Sequence, residues 1–131
     1  MPDTPIEREV VAFFDEFVEA FATFDGGVIA RRYLVPYLAM HADGSTDTFT
    51  SSDEIAGYFQ RIVDDYAARG CRACCYRELE VVPIGLNAAL GTVTWSLLRA
   101  DGTELTSWRE SYDLVRADGR LKAFVSVDHA E

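Results

Sequence analysis

Apolar residues recur at steps of three and four along residues 5–24. This spacing puts them on one face of a helix and predicts an amphipathic α-helix. The members of the stripe are Ile6, Val10, Phe13, Phe14, Phe17, Phe21 and Phe24. Pro5 suits the first turn of this helix, after a cap at Asp3 or Thr4. The segment Asp25-Gly26-Gly27 ends it.

A second helical pattern follows Ser51, which stands three residues before Glu54 in the spacing of a capping box. Its apolar stripe consists of Ile55, Tyr58, Phe59, Ile62, Val63 and Tyr66. Gly70 is a natural end for this helix. A shorter helix is predicted over residues 28–34, before Pro36. The sequence therefore predicts three helices in the first part of the chain.

Beyond Gly70 the pattern changes to that of β-strands. Strands are predicted over residues 71–82, 88–99, 104–116 and 120–129. The pairs Asp101-Gly102 and Asp118-Gly119 predict tight hairpin turns, and strands joined by short loops pair antiparallel. Two shorter strands, residues 37–41 and 47–50, are predicted before the capped helix. We expect an α+β fold in which three N-terminal helices pack on a curved, mainly antiparallel sheet.

Alternation assigns one face of each strand to the core, because successive strand side chains point to opposite faces. Two strands have clear inward sets: Val93, Trp95 and Leu97, and then Trp108, Glu110, Tyr112 and Leu114. On residues 71–82 the expected inward set is Cys71, Ala73, Cys75, Arg77, Leu79 and Val81. On the last strand it is Leu121, Ala123, Val125, Val127 and His129, which leaves Phe124, Ser126 and Asp128 on the opposite face.

The composition limits the partners of the chain. Its 131 residues suit a single domain, residues 1–131. Acidic side chains outnumber basic ones by 22 to 12, for a net charge of −10, and such a field repels nucleic acid. No apolar run approaches the roughly 20 residues that cross a bilayer, and the polar N-terminus does not resemble a signal peptide. We expect a cytoplasmic protein that binds neither nucleic acid nor membrane.

No motif indicates a metal or a cofactor. The three cysteines, Cys71, Cys74 and Cys75, offer one ligand too few for a zinc site, and both histidines lie far away in sequence. We interpret these cysteines as small core residues of a reduced protein. There is no phosphate-binding loop, no dinucleotide fingerprint and no Ser-His-Asp order.

The order of these elements carries a family resemblance. It rests on the aromatic first helix, on "ARRYLVPYLAMHADGSTDTFTSSDEIAGYF", on "LEVVPIGLNAALGTVTWSLLRADG" and on the ending "WRESYDLVRADGRLKAFVSVDH". In these features the chain resembles the NTF2-like superfamily, specifically its SnoaL-like branch of polyketide cyclases, which is related to ketosteroid isomerases. The resemblance implies a cystatin-like cone around an apolar pocket, a small-molecule ligand and a homodimer formed through the outer face of the sheet.

Glu110 is the most unusual residue of the predicted core. Alternation places its carboxylate between Trp108 and Tyr112, where a raised pKa would let it act as acid, base or hydrogen-bond donor. Two structural alternatives remain open. Arg77, predicted on the inward face of its own strand, is a possible partner in a buried ion pair, and a β-bulge could turn either residue to solvent.

Two histidines are further candidates. Aligned on Asp43-Gly44, His41 falls where ketosteroid isomerases carry their catalytic aspartate, and an imidazole suits removal of a proton next to a carbonyl. The first helix, however, has only Phe where those enzymes use a Tyr as oxyanion donor. His129 is in phase with the predicted core, so it either meets a ligand or caps the cone by bonding a main-chain carbonyl.

Three functional hypotheses follow. The leading one is binding of a small apolar or aromatic molecule without a cofactor. Its predicted pocket residues are Phe14, Phe17, Tyr37, Tyr58, Trp95, Trp108, Tyr112 and His129. The alternatives are a cofactor-free isomerase or cyclase with His41 as base and Glu110 as proton donor, and a structural or dimerisation module whose cone is filled by side chains.

Overall fold

The computed structural model describes residues 4–129, and the order of its elements is the predicted one. The helices are α1 (Pro5–Ala22), α2 (Gly26–Ala30) and α3 (Ser52–Ala68). The strands are β1 (Tyr33–Met40), β2 (Thr46–Phe49), β3 (Ala73–Ile84), β4 (Ala88–Leu98), β5 (Glu104–Ala117) and β6 (Arg120–Asp128). The suggested cap at Asp3 lies outside the described residues, and Thr4 caps α1 by accepting from the Glu7 amide.

The six strands form one sheet in the order β2-β1-β6-β5-β4-β3. Neighbouring strands are antiparallel except for β1 and β6, which run parallel. The predicted α+β class with a mainly antiparallel sheet is confirmed. Within residues 4–129 we find no helix that is both long enough and apolar enough to cross a membrane.

Ser51 caps α3 as its spacing predicts, but the reciprocal bond of Glu54 goes to Thr50, one residue before the cap. The Ser51 hydroxyl accepts from the Glu54 amide at 3.1 Å, and the Glu54 carboxylate accepts from the Thr50 amide at 2.9 Å. The first contact satisfies a backbone donor that the first turn of a helix leaves free, and the second holds the residue before the cap. They fix the start of the helix that lies over β1 and β2.

The short helix differs from the prediction of residues 28–34. It spans Gly26–Ala30, because Asp25 caps it and because Tyr33 already pairs with Ala123 in the sheet. Gly26 also lies against α3, where an added Cβ would be only 2.6 Å from the backbone nitrogen of Gln60. The absence of a side chain at this position lets the two helices pack closely.

A β-bulge reverses the faces of β3. The register of β3 against β4 shifts between Arg77 and Glu80, and Glu78 has a φ of 57°. In the first half of the strand Cys74 is therefore buried, whereas Cys75 and Arg77 point outward. The predicted inward positions of Cys75 and Arg77 were wrong because a bulge adds one residue to the alternation. Beyond the bulge, Leu79 and Val81 pack against the core as expected.

A second irregularity reverses the end of β6. Leu114 pairs with Ala123, but Asp113 pairs with Val125, so Phe124 is the extra residue. Beyond this point Ser126 and Asp128 share the inner face with their partners on β5. The predicted inward positions of Val125, Val127 and His129 were wrong for this reason, whereas Leu121 and Ala123 are buried as predicted.

Candidate functional site

A cavity of about 260 Å³ lies between α1, α3 and the concave face of the sheet. The phenylalanines of α1 close one side, and α3 contributes aromatic rings and aliphatic side chains to another. The polar atoms are concentrated on the sheet side, where β5 and β6 meet. The polar side chains there include Glu110, Tyr112, Ser126 and Asp128, with His41 at the end of β1.

Most of the predicted pocket residues line this cavity. They are Phe17, Tyr37, Tyr58, Trp95, Trp108 and Tyr112, together with the two candidates His41 and Glu110. Phe14 does not line it. Its ring packs between α1 and the sheet, 5.4 Å from the ring of Tyr112 and close above Gly91, where an added Cβ would be 2.9 Å from a Phe14 carbon.

His129 also lies outside the cavity. The phase reversal of β6 puts it on the outer face, where its Nε2 is 2.7 Å from the Ser111 hydroxyl and its amide donates to the Arg109 carbonyl. The interpretation of His129 as a pocket residue is therefore corrected. Its contact with the backbone ties the end of β6 to β5.

The ion pair between Arg77 and Glu110 does not form. Because of the bulge, the Arg77 guanidinium lies on the outer face, where it donates to Ser96 and to Glu104. Glu110 projects from the opposite face into the cavity. Of the three interpretations of Glu110, the geometry therefore leaves the one in which its carboxyl group meets the cavity.

Glu110 shares its place with a second carboxyl group. It pairs across the ladder with Asp128, so the two side chains lie side by side on the inner face. Trp108 donates its indole N–H to Glu110 Oε1 at 2.8 Å. Burial raises the pKa of Glu110 to about 8, and the charge of Asp128 acts in the same direction, against the opposing effect of the Trp108 bond. At neutral pH the Glu110 carboxyl group therefore keeps its proton.

Asp128 is the residue that the sequence did not reveal as part of the site. Strict alternation put it outside, and no local signal marks the extra residue Phe124 that brings it in. If the sequence had predicted both carboxyl groups inside the cone, the pair would have been the clearest indication of acid–base chemistry. The irregular pairing of β5 with β6, which produces this arrangement, is a property of the assembled sheet.

Tyrosine hydroxyl groups surround the carboxyl pair and stay neutral. Burial raises the pKa of Tyr33, Tyr37, Tyr66 and Tyr112, and it raises that of Tyr58 to about 12. Trp95 donates to the Tyr112 hydroxyl at 2.8 Å, and the hydroxyl groups of Tyr37 and Ser126 are 2.5 Å apart. These bonds fix the orientation of the polar wall.

His41 stands at the mouth of the cavity. The ladder pairs Met40 with Val127, and the next residue along each strand, His41 and Asp128, lines the cavity. The imidazole Nε2 is 2.7 Å from a carboxylate oxygen of Asp47 on β2. This contact orients the ring. In many functional histidines a carboxylate bonded to one ring nitrogen has the same effect.

The arrangement can hold and move a proton. A carboxyl group next to a carboxylate is both a hydrogen-bond donor and an acceptor, and the surrounding rings keep it poorly hydrated. Within residues 4–129, we find no group of three or more His, Cys, Asp or Glu side chains placed to hold a metal ion. The chemistry that the side chains themselves offer is proton exchange and hydrogen bonding.

Comparison with known proteins supports the fold. Residues 8–131 match the family described as NTF2-like protein (DUF6841). Aln2 from a Streptomyces species is 17% identical with a TM-score of 0.78, over 99% of this chain and 94% of that chain. A protein of unknown function with a cystatin-like fold from Nostoc punctiforme is 13% identical with a TM-score of 0.77, over 100% and 96% of the two chains.

A further structure is that of an NTF-2 like protein of unknown function from Shewanella oneidensis. It is 14% identical with a TM-score of 0.74, over 93% of this chain and 97% of that chain. No curated protein matches the chain. The predicted NTF2-like, cystatin-like fold is confirmed, whereas the assignment to the SnoaL-like branch stays a prediction.

The raised pKa of the half-buried Glu110 predicts a pH-dependent stability. Between its usual pKa of 4.5 and its folded pKa of about 8, the folded chain binds a proton that the unfolded chain has lost. The free energy of unfolding contributed by this group therefore falls as pH rises through that window and is constant above it. Glu110→Gln lacks this titration. Its free energy of unfolding, relative to that of the wild type, should therefore rise by roughly 2–4 kcal/mol from pH 5 to pH 8.

Urea unfolding at several pH values measures this difference. Glu19→Gln makes the same chemical change at an exposed position of α1 and should follow the wild type. A constant difference between Glu110→Gln and the wild type across the window would mean that Glu110 is not held in its protonated form.

Proposed function

This chain belongs to the NTF2-like protein family DUF6841, and we propose that it binds a small molecule of one or two rings in its cavity. The observation that carries the proposal is an open, aromatic cavity with a single polar wall. Small-molecule sites have this form, in which apolar surface supplies affinity and a few polar groups fix the orientation. The hypothesis of a cone filled by side chains is disfavoured by the open volume.

The size of the cavity limits the ligand. An engineered cavity of about 150 Å³ accommodates benzene, and the volume here is about 260 Å³. This space suits one ring with a short substituent or two fused rings. A four-ring skeleton of the kind that ketosteroid isomerases handle is too large for it. The proposed ligand is therefore smaller than the substrates that the family resemblance first suggests.

Intrinsic fluorescence provides a direct test. The chain has two tryptophans, and both Trp95 and Trp108 line the cavity, so their emission reports on its contents. We expect a panel of one- and two-ring aromatic compounds to include some that change this emission saturably, with micromolar to millimolar dissociation constants. Ala39→Leu puts three more carbon atoms into the cavity and should weaken their binding by about tenfold or more.

The matched control is Ala68→Leu, the same substitution at the exposed end of α3. It should bind like the wild type. Circular dichroism checks that Ala39→Leu keeps its fold. Equal binding by both variants would place any ligand outside the cavity and contradict the proposal.

A second candidate is proton transfer next to a carbonyl group. It is favoured by the presence of His41, Glu110 and Asp128 around one cavity. His41 or the Asp128 carboxylate would remove the proton, and the protonated Glu110 would donate a hydrogen bond to the carbonyl oxygen as negative charge develops there. The oxyanion donor would thus come from the sheet, where the first helix has only phenylalanine.

Hydrogen–deuterium exchange tests this candidate. 1-Tetralone, a two-ring ketone of suitable size, should exchange its α-protons faster in D₂O with the protein than in buffer alone, as followed by NMR. Positioned acid–base groups contribute roughly 10²–10⁴-fold in rate, so Glu110→Gln and one of the two base variants, His41→Gln or Asp128→Asn, should each remove most of the effect. Ala68→Leu should keep it. Exchange at the buffer rate would refute the catalytic candidate and leave the binding proposal intact.

The homodimer also remains a proposal. The outer face of the sheet is polar: Arg109 donates to Thr94 and Glu80, and the Ser96 hydroxyl donates to Glu104. Exposed apolar side chains border it near the β3–β4 hairpin, namely Val82, Ile84, Leu86 and Leu90. Light scattering at micromolar concentration should give about twice the chain mass of 14.6 kDa. A mass equal to one chain would contradict the dimer.

A further inference from the structure

The charges around the cavity are almost all of one sign. Asp128 and Glu110 lie side by side on its wall, and no Lys or Arg of the described chain lines it. His41 is the single lining side chain able to become a cation, and its ring already contacts Asp47. Two neighbouring carboxyl groups without a basic partner form a site that favours a positive charge.

Aromatic rings enclose the same space. They include Tyr33, Tyr37, Tyr58, Phe59, Tyr66 and Trp108. Tyr33 and Phe59 are stacked on each other with centroids 4.8 Å apart, which holds this part of the wall in place. The faces of such rings carry negative potential and attract cations, most strongly where water is excluded.

We infer that the cavity selects a cation, an amine joined to one or two rings, and that its ammonium group lies between Glu110 and Asp128. This inference rests on the proposed function, because it names the chemical class of the ligand at the same site. The ring of the amine would occupy the apolar part of the cavity, towards α1. Its N–H groups would donate to the carboxylate oxygens.

Binding of the amine exchanges the carboxyl proton for the ammonium group. The empty site holds a proton on Glu110, and the amine arrives as an ammonium ion. On binding, the carboxyl proton leaves for solvent and the ammonium group takes its place, so both carboxylates are ionised and neutralised in part by one cation. Binding therefore releases up to one proton, and affinity rises with pH until Glu110 is ionised without a ligand.

The other groups that face Glu110 do not obscure this titration. Hydroxyl groups reach the site from three elements: Tyr33 and Tyr37 from β1, Tyr58 and Tyr66 from α3, and Tyr112 from β5. Burial raises the pKa of each of them, so they stay neutral below pH 9. Burial likewise raises the pKa of the Cys74 thiol on β3 to about 12. His41 and Asp128 are the remaining titratable groups, and variants of both are needed.

A neutral ligand would give the opposite pH dependence. A ketone or an alcohol accepts a hydrogen bond from the protonated Glu110, so its affinity stays constant or falls as the carboxyl group ionises. The sign of the pH dependence therefore separates an amine site from a carbonyl site. It also separates this inference from the catalytic candidate, which needs Glu110 to keep its proton.

Three probes of similar shape and different charge provide the experiment. They are 2-phenylethylamine, 2-phenylethanol and phenylacetate, titrated against tryptophan emission and by calorimetry at pH 6, 7, 8 and 9. The aliphatic amine, like a lysine side chain, keeps its charge over this range. At pH 8 we expect the amine to bind at least about tenfold more tightly than the alcohol, and the carboxylate to bind most weakly.

The amine affinity should increase from pH 6 to pH 8, by at most about tenfold per pH unit, whereas that of the alcohol should not increase. Calorimetry in buffers of different ionisation enthalpy should show proton release with the amine near pH 7. The Glu110→Gln/Asp128→Asn variant should reduce the amine affinity to about that of the alcohol. If the double variant does not fold, Asp128→Asn alone takes its place. His41→Gln should keep the preference for the amine over the alcohol.

The outcomes distinguish the inference about an amine ligand from the proposed function on which it rests. An alcohol that binds as tightly as the amine, or an amine affinity that falls with rising pH, overturns the inference and leaves the proposed function standing. If neither these probes nor the aromatic panel binds, the proposed function itself fails. An amine preference that survives in both carboxyl variants would place the cation elsewhere and also overturn the inference.

Discussion

The packing of the α1 phenylalanines against Trp95 and Tyr112 sets the geometry on which the rest of the molecule depends. The ring of Phe17 lies 5.2 Å from that of Trp95, and the ring of Phe14 lies 5.4 Å from that of Tyr112. Aromatic pairs of this kind each add about 0.5–1.5 kcal/mol to the effect of burial. They hold one side of the concave face closed. The helix α3 covers the far side, over β1 and β2, and the cavity is the space that neither helix fills.

The electrostatics of the site follow from that packing through Tyr112. Its ring belongs to the aromatic cluster, and its hydroxyl group accepts from Trp95 beside Glu110. Because the cluster excludes water from the back of the cavity, the carboxyl group of Glu110 is poorly solvated and its pKa is raised. Aromatic packing and acid–base behaviour are therefore coupled, and a loosened core would also lower this pKa.

Most of the fold and part of the site could be predicted from the sequence. Helical periodicity, the Ser51–Glu54 box and the Asp-Gly turns are local signals, and they located the elements to within a few residues. Glu110 was found because a carboxylate between Trp108 and Tyr112 breaks an apolar pattern. Asp128 was missed, and Arg77 was placed on the wrong face. In both cases one inserted residue reverses the alternation, and its position depends on pairing with a neighbouring strand, which local sequence does not encode.

The position of β6 has a consequence for how the chain is made. It is the last strand to be synthesised, yet it lies in the middle of the sheet, between β1 and β5. Until it emerges from the ribosome, β1 and β2 have no strand pairing with β3, β4 or β5. Contacts between segments so distant in sequence form late, because a long loop must close first. The same strand delivers Asp128, so a nascent chain that stops short of β6 has a divided sheet and an incomplete binding wall.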